Sequence, residues 1–145
     1  MYRMLEKQFK NLVKEAIASK AETGEFLISK LEHRLDNVVF RGGVGQSRDQ
    51  SRQLVNHGHI LVNGKKVSIA SYQVGLKDVI SVREGSSKGK FFSSLAPVWL
   101  KNYQAPPWLA LDAVGMKITV QGMPTVIDSG VEVADLQSLV EYYSR

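Results

Sequence analysis

Asn63-Gly64, set between the β-prone runs His59-Ile60-Leu61-Val62 and Lys65-Lys66-Val67-Ser68-Ile69, constrains this chain more than any other feature. Both central positions of a two-residue hairpin loop need positive φ, and Asn-Gly adopts it at low cost. Gly58, just upstream, suits a position where a helix ends in the left-handed region. Ser47 with Gln50 three residues on has the pattern of a capping box, which satisfies otherwise orphaned amides, so the spacing predicts a helix from about Ser47 to about His57. Before it, LEHRLDNVVF gathers Leu31, Leu35, Val38 and Val39 on one helical face and Arg34, Asn37 and Arg41 on the adjoining one. Gly42, Gly43 and Gly45 break the two helices apart. Leu31 to Glu84 thus reads as two short basic helices followed by a tight hairpin.

Around this module the patterns are mixed. Leu5 to about Ala21 is predicted helical, with Leu5, Phe9, Leu12, Val13 and Ala16 as an apolar stripe and Lys7, Lys10 and Lys14 opposite. Thr23 and Gly24 admit a break, after which Phe26 to Phe40 continues in helical period. Ser68 to Val74 and Asp78 to Arg83 are expected as strands joined by a turn at Gly75 to Lys77, and Met116 to Val120 as a last strand, giving a small, mostly antiparallel sheet. Gly85 to Lys90 reads as an exposed loop, and Phe91 to Asn102 as a short helix that Pro97 would interrupt. Pro106-Pro107 then forces an extended path into Trp108, which with Leu109 and Leu111 should anchor a return segment on the core and find one hydrogen-bond partner for its indole. Val131 to Tyr143 is a short helix candidate. The fold class is α+β.

Charge narrows the function. The formal net charge is +5, and residues 1–104 hold 17 Lys plus Arg against 9 acidic residues, whereas residues 105–145 hold 2 against 5. The basic part is where a polyanion should bind. With no cysteine there is neither a disulfide nor a thiolate metal site, as suits a reducing cytoplasm. No apolar run approaches the roughly 20 residues that span a bilayer, so no membrane partner is expected.

The candidate site follows from how nucleic acids are held: Lys and Arg neutralise phosphates and release counterions. Arg48 and Arg52 lie one turn apart on the second helix, Arg34 and Arg41 flank the first, and Lys65 and Lys66 leave the hairpin turn. Gln53, His57, His59, Asn63 and Tyr72, with Asn37, can add hydrogen bonds to ribose hydroxyls or unpaired bases. Arg3, Lys7, Lys10 and Lys14 complete the set near the amino terminus, while Lys88 and Lys101 are weaker candidates. His57 and His59 lack the further ligands a metal site needs, so no metal is expected. Gly43-Val44-Gly45 lies between helices, not after a strand, and is read as a turn, not a nucleotide loop. Glu32 with Asp36, and Asp128 with Glu132, have helical spacing but no nearby nucleophile, so no enzyme is expected.

Three strings, RLDNVVFR, SRDQSRQLVNHGHILVNGKKV and IASYQV, closely resemble the small-subunit ribosomal protein S-four family, of bacterial or organellar type. The likeness continues in LEKQFKNLVKEA, PPWLALD and EYYSR, and is loose over Gly85 to Ala105 and Gly115 to Asp128. The resemblance implies a structural constituent of the small ribosomal subunit that binds folded small-subunit rRNA, nucleates assembly and supports translational accuracy. It implies a ribosomal location in the cytoplasm or an organelle, the neighbouring ribosomal protein S-five and messenger RNA as further partners, and no cofactor. It also implies a helical domain in which residues 1–27 pack with 129–145, an RNA-binding helix-helix-hairpin module at 28–84, and a loop, short helix and return segment at 85–128. Family members usually carry a basic arm ahead of the point that matches Met1, and the resemblance therefore does not carry a messenger-unwinding role over to these residues.

Three alternatives differ in what they would need. A free-standing RNA-binding translation or quality-control factor with the same module would lack the matching terminal segments. Pseudouridine synthases and tyrosyl-tRNA synthetases carry similar modules beside a separate catalytic domain. A helix-turn-helix DNA reader would be expected to show a dimer signal.

Overall fold

The computed structural model describes residues 10–12, 14–15, 23–87, 89, 92 and 96–124. The chain divides into two compact units, Met1–Glu32 with Pro124–Arg145, and His33–Met123. In the first, residues 10–12 and 14–15 have helical backbone with Lys10 and Lys14 exposed. Helix α1 (Thr23–Glu32) follows, with the Lys30 ammonium 5.5 Å from the centre of the Phe26 ring one turn earlier. The helix expected at Val131 to Tyr143, and most of that at Leu5 to Ala21, lie outside the described residues.

The helical period from Phe26 to Phe40 is not one helix. Helix α1 stops at Glu32, Arg34 is extended (φ −62°, ψ 138°), and α2 (Leu35–Arg41) begins after it. The break has a partner. The Tyr72 carbonyl accepts from Leu35 N–H at 2.8 Å, the Ala70 carbonyl from Asp36 N–H at 3.2 Å, and Val74 N–H donates to the His33 carbonyl at 2.9 Å. A helix start leaves four amides unpaired, and here two of them are taken by a distant loop. For the same reason Ser68 to Val74 is not a strand. Its carbonyls turn to α2, its one sheet-like contact among the described residues is the Arg34 to Gln73 bridge, and Ile69 and Tyr72 are left exposed.

Helix α3 (Arg48–Asn56) starts as its sequence demands: Ser47 Oγ accepts from Gln50 N–H at 3.0 Å. The reciprocal bond is displaced by one residue, since Gln50 Oε1 accepts from Gln46 N–H at 2.7 Å instead of from Ser47. Strands β1 (Ile60–Val62) and β2 (Lys65–Lys66) then form the hairpin, with Leu61 opposite Lys66 and Val62 opposite Lys65. Asn63 and Gly64 take φ of 51° and 83°. The positive φ at both positions is that of a type I′ turn.

With β3 (Val79–Val82), β4 (Leu109–Asp112) and β5 (Lys117–Val120), the hairpin completes a five-stranded antiparallel sheet in the order β2-β1-β3-β5-β4. The expected return segment is itself a strand: β4 pairs with β5 at four positions, from Leu109 opposite Val120 to Asp112 opposite Lys117. Between β3 and β4 lie α4 (Glu84–Ser87), where an exposed loop was expected, and α5 (Ala96–Leu100). Pro97 falls in the first turn of α5, where its missing N–H costs nothing, so it opens the helix instead of interrupting one.

Leu35, Val38 and Val39 of α2, Leu54 and Val55 of α3, and Ile60, Val62, Ile80, Ile118 and Val120 of the sheet share one buried cluster with Leu100 and Trp108. Burying each such aliphatic side chain contributes about 1.5–3 kcal/mol, so this cluster outweighs any single surface pair. The end of α2 packs so near β5 that a Cβ on Gly42 would strike the Ile118 side chain. The Trp108 ring meets His33 edge-on at 5.6 Å, but its Nε1 has no hydrogen-bond partner among the described residues, contrary to expectation.

Candidate nucleic-acid interface

Phe40 is the organising side chain, and the sequence patterns did not single it out. The Arg48 guanidinium carbon stands 4.7 Å from the Phe40 ring centre and that of Arg41 stands 5.9 Å from it. Two cations from different helices thus lie against one aromatic ring, each with the electrostatic attraction its π system offers. Arg48 Nη1 also donates to Asn37 Oδ1. Both arginines are half-buried, as is Arg52, so part of each reaches solvent while the stem is held.

Arg34 and Asn37 take other positions than the helical face suggested. Arg34 is only 4% exposed and Asn37 2%. Arg34 precedes α2 instead of riding on it, and its Nε and Nη2 each donate to a carboxylate oxygen of Asp36 at 3.1 Å. Asp36 Oδ1 also accepts from Asn37 N–H at 2.8 Å. The pair is an internal fork that fixes the start of α2, and Asn37 orients Arg48 from beneath.

The hairpin is tied to α3 through Gly58, whose φ of 79° ends the helix. The stem of Lys66 crosses it so closely that a Cβ there would lie 2.5 Å from Lys66 Cε and 3.1 Å from Nζ. This sets the Lys66 ammonium at the helix C-terminus, where the macrodipole favours a cation. Lys65 and Lys66 are both exposed, and successive strand residues face opposite sides, so only Lys66 joins α3. Gln53 and His57 are exposed on α3 and at its end. Asn63 is spent on the fold: its amide donates to Asp78 Oδ1 at 2.9 Å and its Oδ1 accepts from Val79 N–H at 2.9 Å. Tyr72 is exposed on the loop that caps α2.

His59 lies half-buried before β1, its Nδ1 2.7 Å from Ser86 Oγ. Its ring meets those of His57 at 6.3 Å and Phe92 at 5.7 Å, both edge-on. Burial first, then the neighbouring Arg83 guanidinium and His57, hold its pKa below the ordinary histidine value. Arg83 Nε also approaches Ser86 Oγ, at 3.4 Å, which places an exposed cation at this end of the sheet that the sequence reading overlooked. Lys10 and Lys14 belong to the other unit, and Arg3 and Lys7 lie outside the described residues. Lys88 is likewise outside them, and Lys101 is exposed after α5.

Among the described residues no group of three His, Asp or Glu side chains could hold a metal ion, and no helix is long and apolar enough to cross a membrane. A cleft of about 490 Å³ is walled by Val82, Phe92, Pro97, Val114, Gly115 and Met116 with one carboxylate, Glu84. A lone carboxylate is not an acid–base pair.

Residues 33–80 match the S4 domain family. The chain is 44% identical over 146 positions to the small ribosomal subunit protein uS4 of Chloroflexus aurantiacus, covering all of this chain and 70% of that protein. It is 46% identical over 145 positions to uS4 of Kosmotoga olearia and 45% over 147 to that of Acidothermus cellulolyticus, in both cases covering all of this chain and 69% of the relative.

Proposed function

The chain belongs to the family of small ribosomal subunit protein uS4, and on that premise we propose that the surface around Phe40 is where it grips folded small-subunit rRNA. It is a structural constituent of the small ribosomal subunit. The observation that carries the assignment is the shared ring of Phe40: Arg41 and Arg48 are already gathered around it without RNA. Cations gathered around one ring offer a phosphate more than one charge-assisted contact. Arg52 extends the row by one helical turn and Lys66 continues it from the hairpin at the end of α3. Exposed Gln53, His57 and Tyr72 then supply hydrogen bonds or stacking to ribose and unpaired bases, the groups by which folded RNA is told apart.

Arg34, Asn37 and Asn63 serve the interface indirectly by holding backbone and Arg48 in place. Lys10 and Lys14, exposed in the other unit, are proposed as further phosphate contacts. Contact with ribosomal protein S-five and with messenger RNA belongs to the same reading, as does support of assembly and accuracy; the whole-chain similarity to uS4 proteins supports these roles.

Co-sedimentation of the chain with small subunits, followed by crosslink mapping, tests the assignment. Crosslinks from Arg41, Arg48 and Arg52 to one rRNA junction are expected. Binding that leaves these positions unprotected would refute it.

A further inference from the structure

The turn from α2 to α3 is rich in glycine, and a free Gly-rich turn samples many conformations. It nevertheless carries Arg41 at one end and leads to Arg48 at the other, so its shape sets the spacing of the two cations over Phe40. Local bonds restrain part of it: Gly42 N–H donates to the Val38 carbonyl at 2.8 Å, Gly43 N–H to Phe40 at 3.0 Å and Val44 N–H to Val39 at 3.1 Å. These leave the carbonyls of Arg41 and Gly43 for other donors. Both donors come from the stretch that begins at α5. Tyr103 Oη donates to the Arg41 carbonyl at 2.8 Å, and Trp99 Nε1 donates to the Gly43 carbonyl at 2.6 Å. Tyr103 also packs closely against the turn, since a Cβ on Gly43 would come within 2.5 Å of its ring, and Gly43 itself holds φ of 87°.

We infer that Trp99 and Tyr103 are positioning residues for RNA binding, a two-point splint that fixes the α2–α3 turn and so presets the Arg41–Arg48 pair. This rests on the reading of the Phe40 surface as the rRNA contact. The splint lies outside the residues that match the S4 domain, 33–80, and reaches back 56 and 62 residues to the turn. The module's grip on RNA is therefore set partly by a segment beyond the module. A hydrogen bond that narrows the conformations of a binding loop raises affinity by lowering the ordering cost of association, without touching the ligand.

The test is a double-mutant cycle on the full chain, binding a folded small-subunit rRNA fragment over a range of salt. The variants are Tyr103→Phe, Trp99→Phe, Arg48→Ala and each aromatic change combined with Arg48→Ala. Tyr103→Phe keeps the ring against Gly43 and removes only the donor; Trp99→Phe provides an independent route to the same turn. Each aromatic variant is expected to weaken binding roughly fivefold, the equivalent of one net hydrogen bond, and to lower the salt slope. The loss should largely disappear when Arg48 is already alanine, because its target is gone. A purely structural role would instead lower the melting temperature and multiply with Arg48→Ala at unchanged salt slope; that result overturns the inference. So does unchanged affinity in both aromatic variants while Arg48→Ala weakens binding, an outcome that leaves the Phe40 surface standing. If Arg48→Ala has no effect on affinity, the surface reading itself fails and the splint falls with it.

Discussion

Arg48 is held by Phe40 from one side and by Asn37 from another: its guanidinium carbon is 4.7 Å from the ring centre while Nη1 donates to the buried amide oxygen. A side chain gripped twice loses much of its rotamer freedom before any ligand arrives, which removes part of the cost of binding. Arg41 shares the ring at 5.9 Å, so Phe40 is the hub of the pair.

Phe40→Leu retains an apolar side chain of similar bulk and removes the π face. Since each cation–aromatic contact is worth about 0.5–1 kcal/mol at a partly exposed site and both form without RNA, the folded state should lose about 1–2 kcal/mol, and rRNA affinity should fall as the two arginines lose their preset placement. Filter binding beside a denaturant melt checks it; equal affinity in the two proteins would show that the ring is only packing.

Arg48→Ala combined with Arg52→Ala should weaken rRNA binding by at most about 3 kcal/mol and reduce the salt slope by roughly two, as expected for two phosphate contacts. The fold should survive, at a stability cost of about 1–2 kcal/mol because the buried Asn37 oxygen loses the Arg48 donor. Affinity and salt slope both unchanged would exclude these arginines from the interface.

Ser47→Ala removes the acceptor for Gln50 N–H at the start of α3. A lost N-cap costs about 1 kcal/mol, and urea unfolding should show it as a lower midpoint at constant m-value. A midpoint equal to that of the parent would mean that Gln50 and water compensate fully.

His59 gives the protein a stability that depends on pH. Burial, Arg83 and His57 lower its folded-state pKa beneath the ordinary value of 6.5, so the folded chain disfavours the imidazolium more than the unfolded chain does. The contribution is complete above pH 6.5 and is lost as the pH falls through that value and then through the lower folded one. Chemical denaturation between about pH 5 and 8 should therefore show stability declining toward the acid side, less steeply in His59→Gln. An equal slope in both proteins would assign the effect to other groups.

What could be read along the chain was local. Ser47 and Gln50 are three residues apart, and Asn63 and Gly64 are adjacent, so the bonds and dihedrals they dictate need no other part of the molecule. Where the reading went astray, a distant partner had intervened. Helical period alone could not place the break at His33 and Arg34, because the groups that pair with it are Ala70, Tyr72, Gln73 and Val74. Arg34 had the right spacing for an outer face but sits just before the helix, where Asp36 takes its guanidinium.

By itself the amino-acid order determined that two basic helices would lead into a type I′ hairpin, because caps and turns are decided within a few residues by sterics and orphaned amides. The tertiary structure decided which cations act together. Phe40 reaches Arg48 only after the chain reverses at Gly42 to Gly45, and Tyr103 secures that reversal from 62 residues away. The physical reason is that a hydrogen bond or a cation on a ring depends on distance in space, and separation along the chain carries almost no information about that distance until the core has closed.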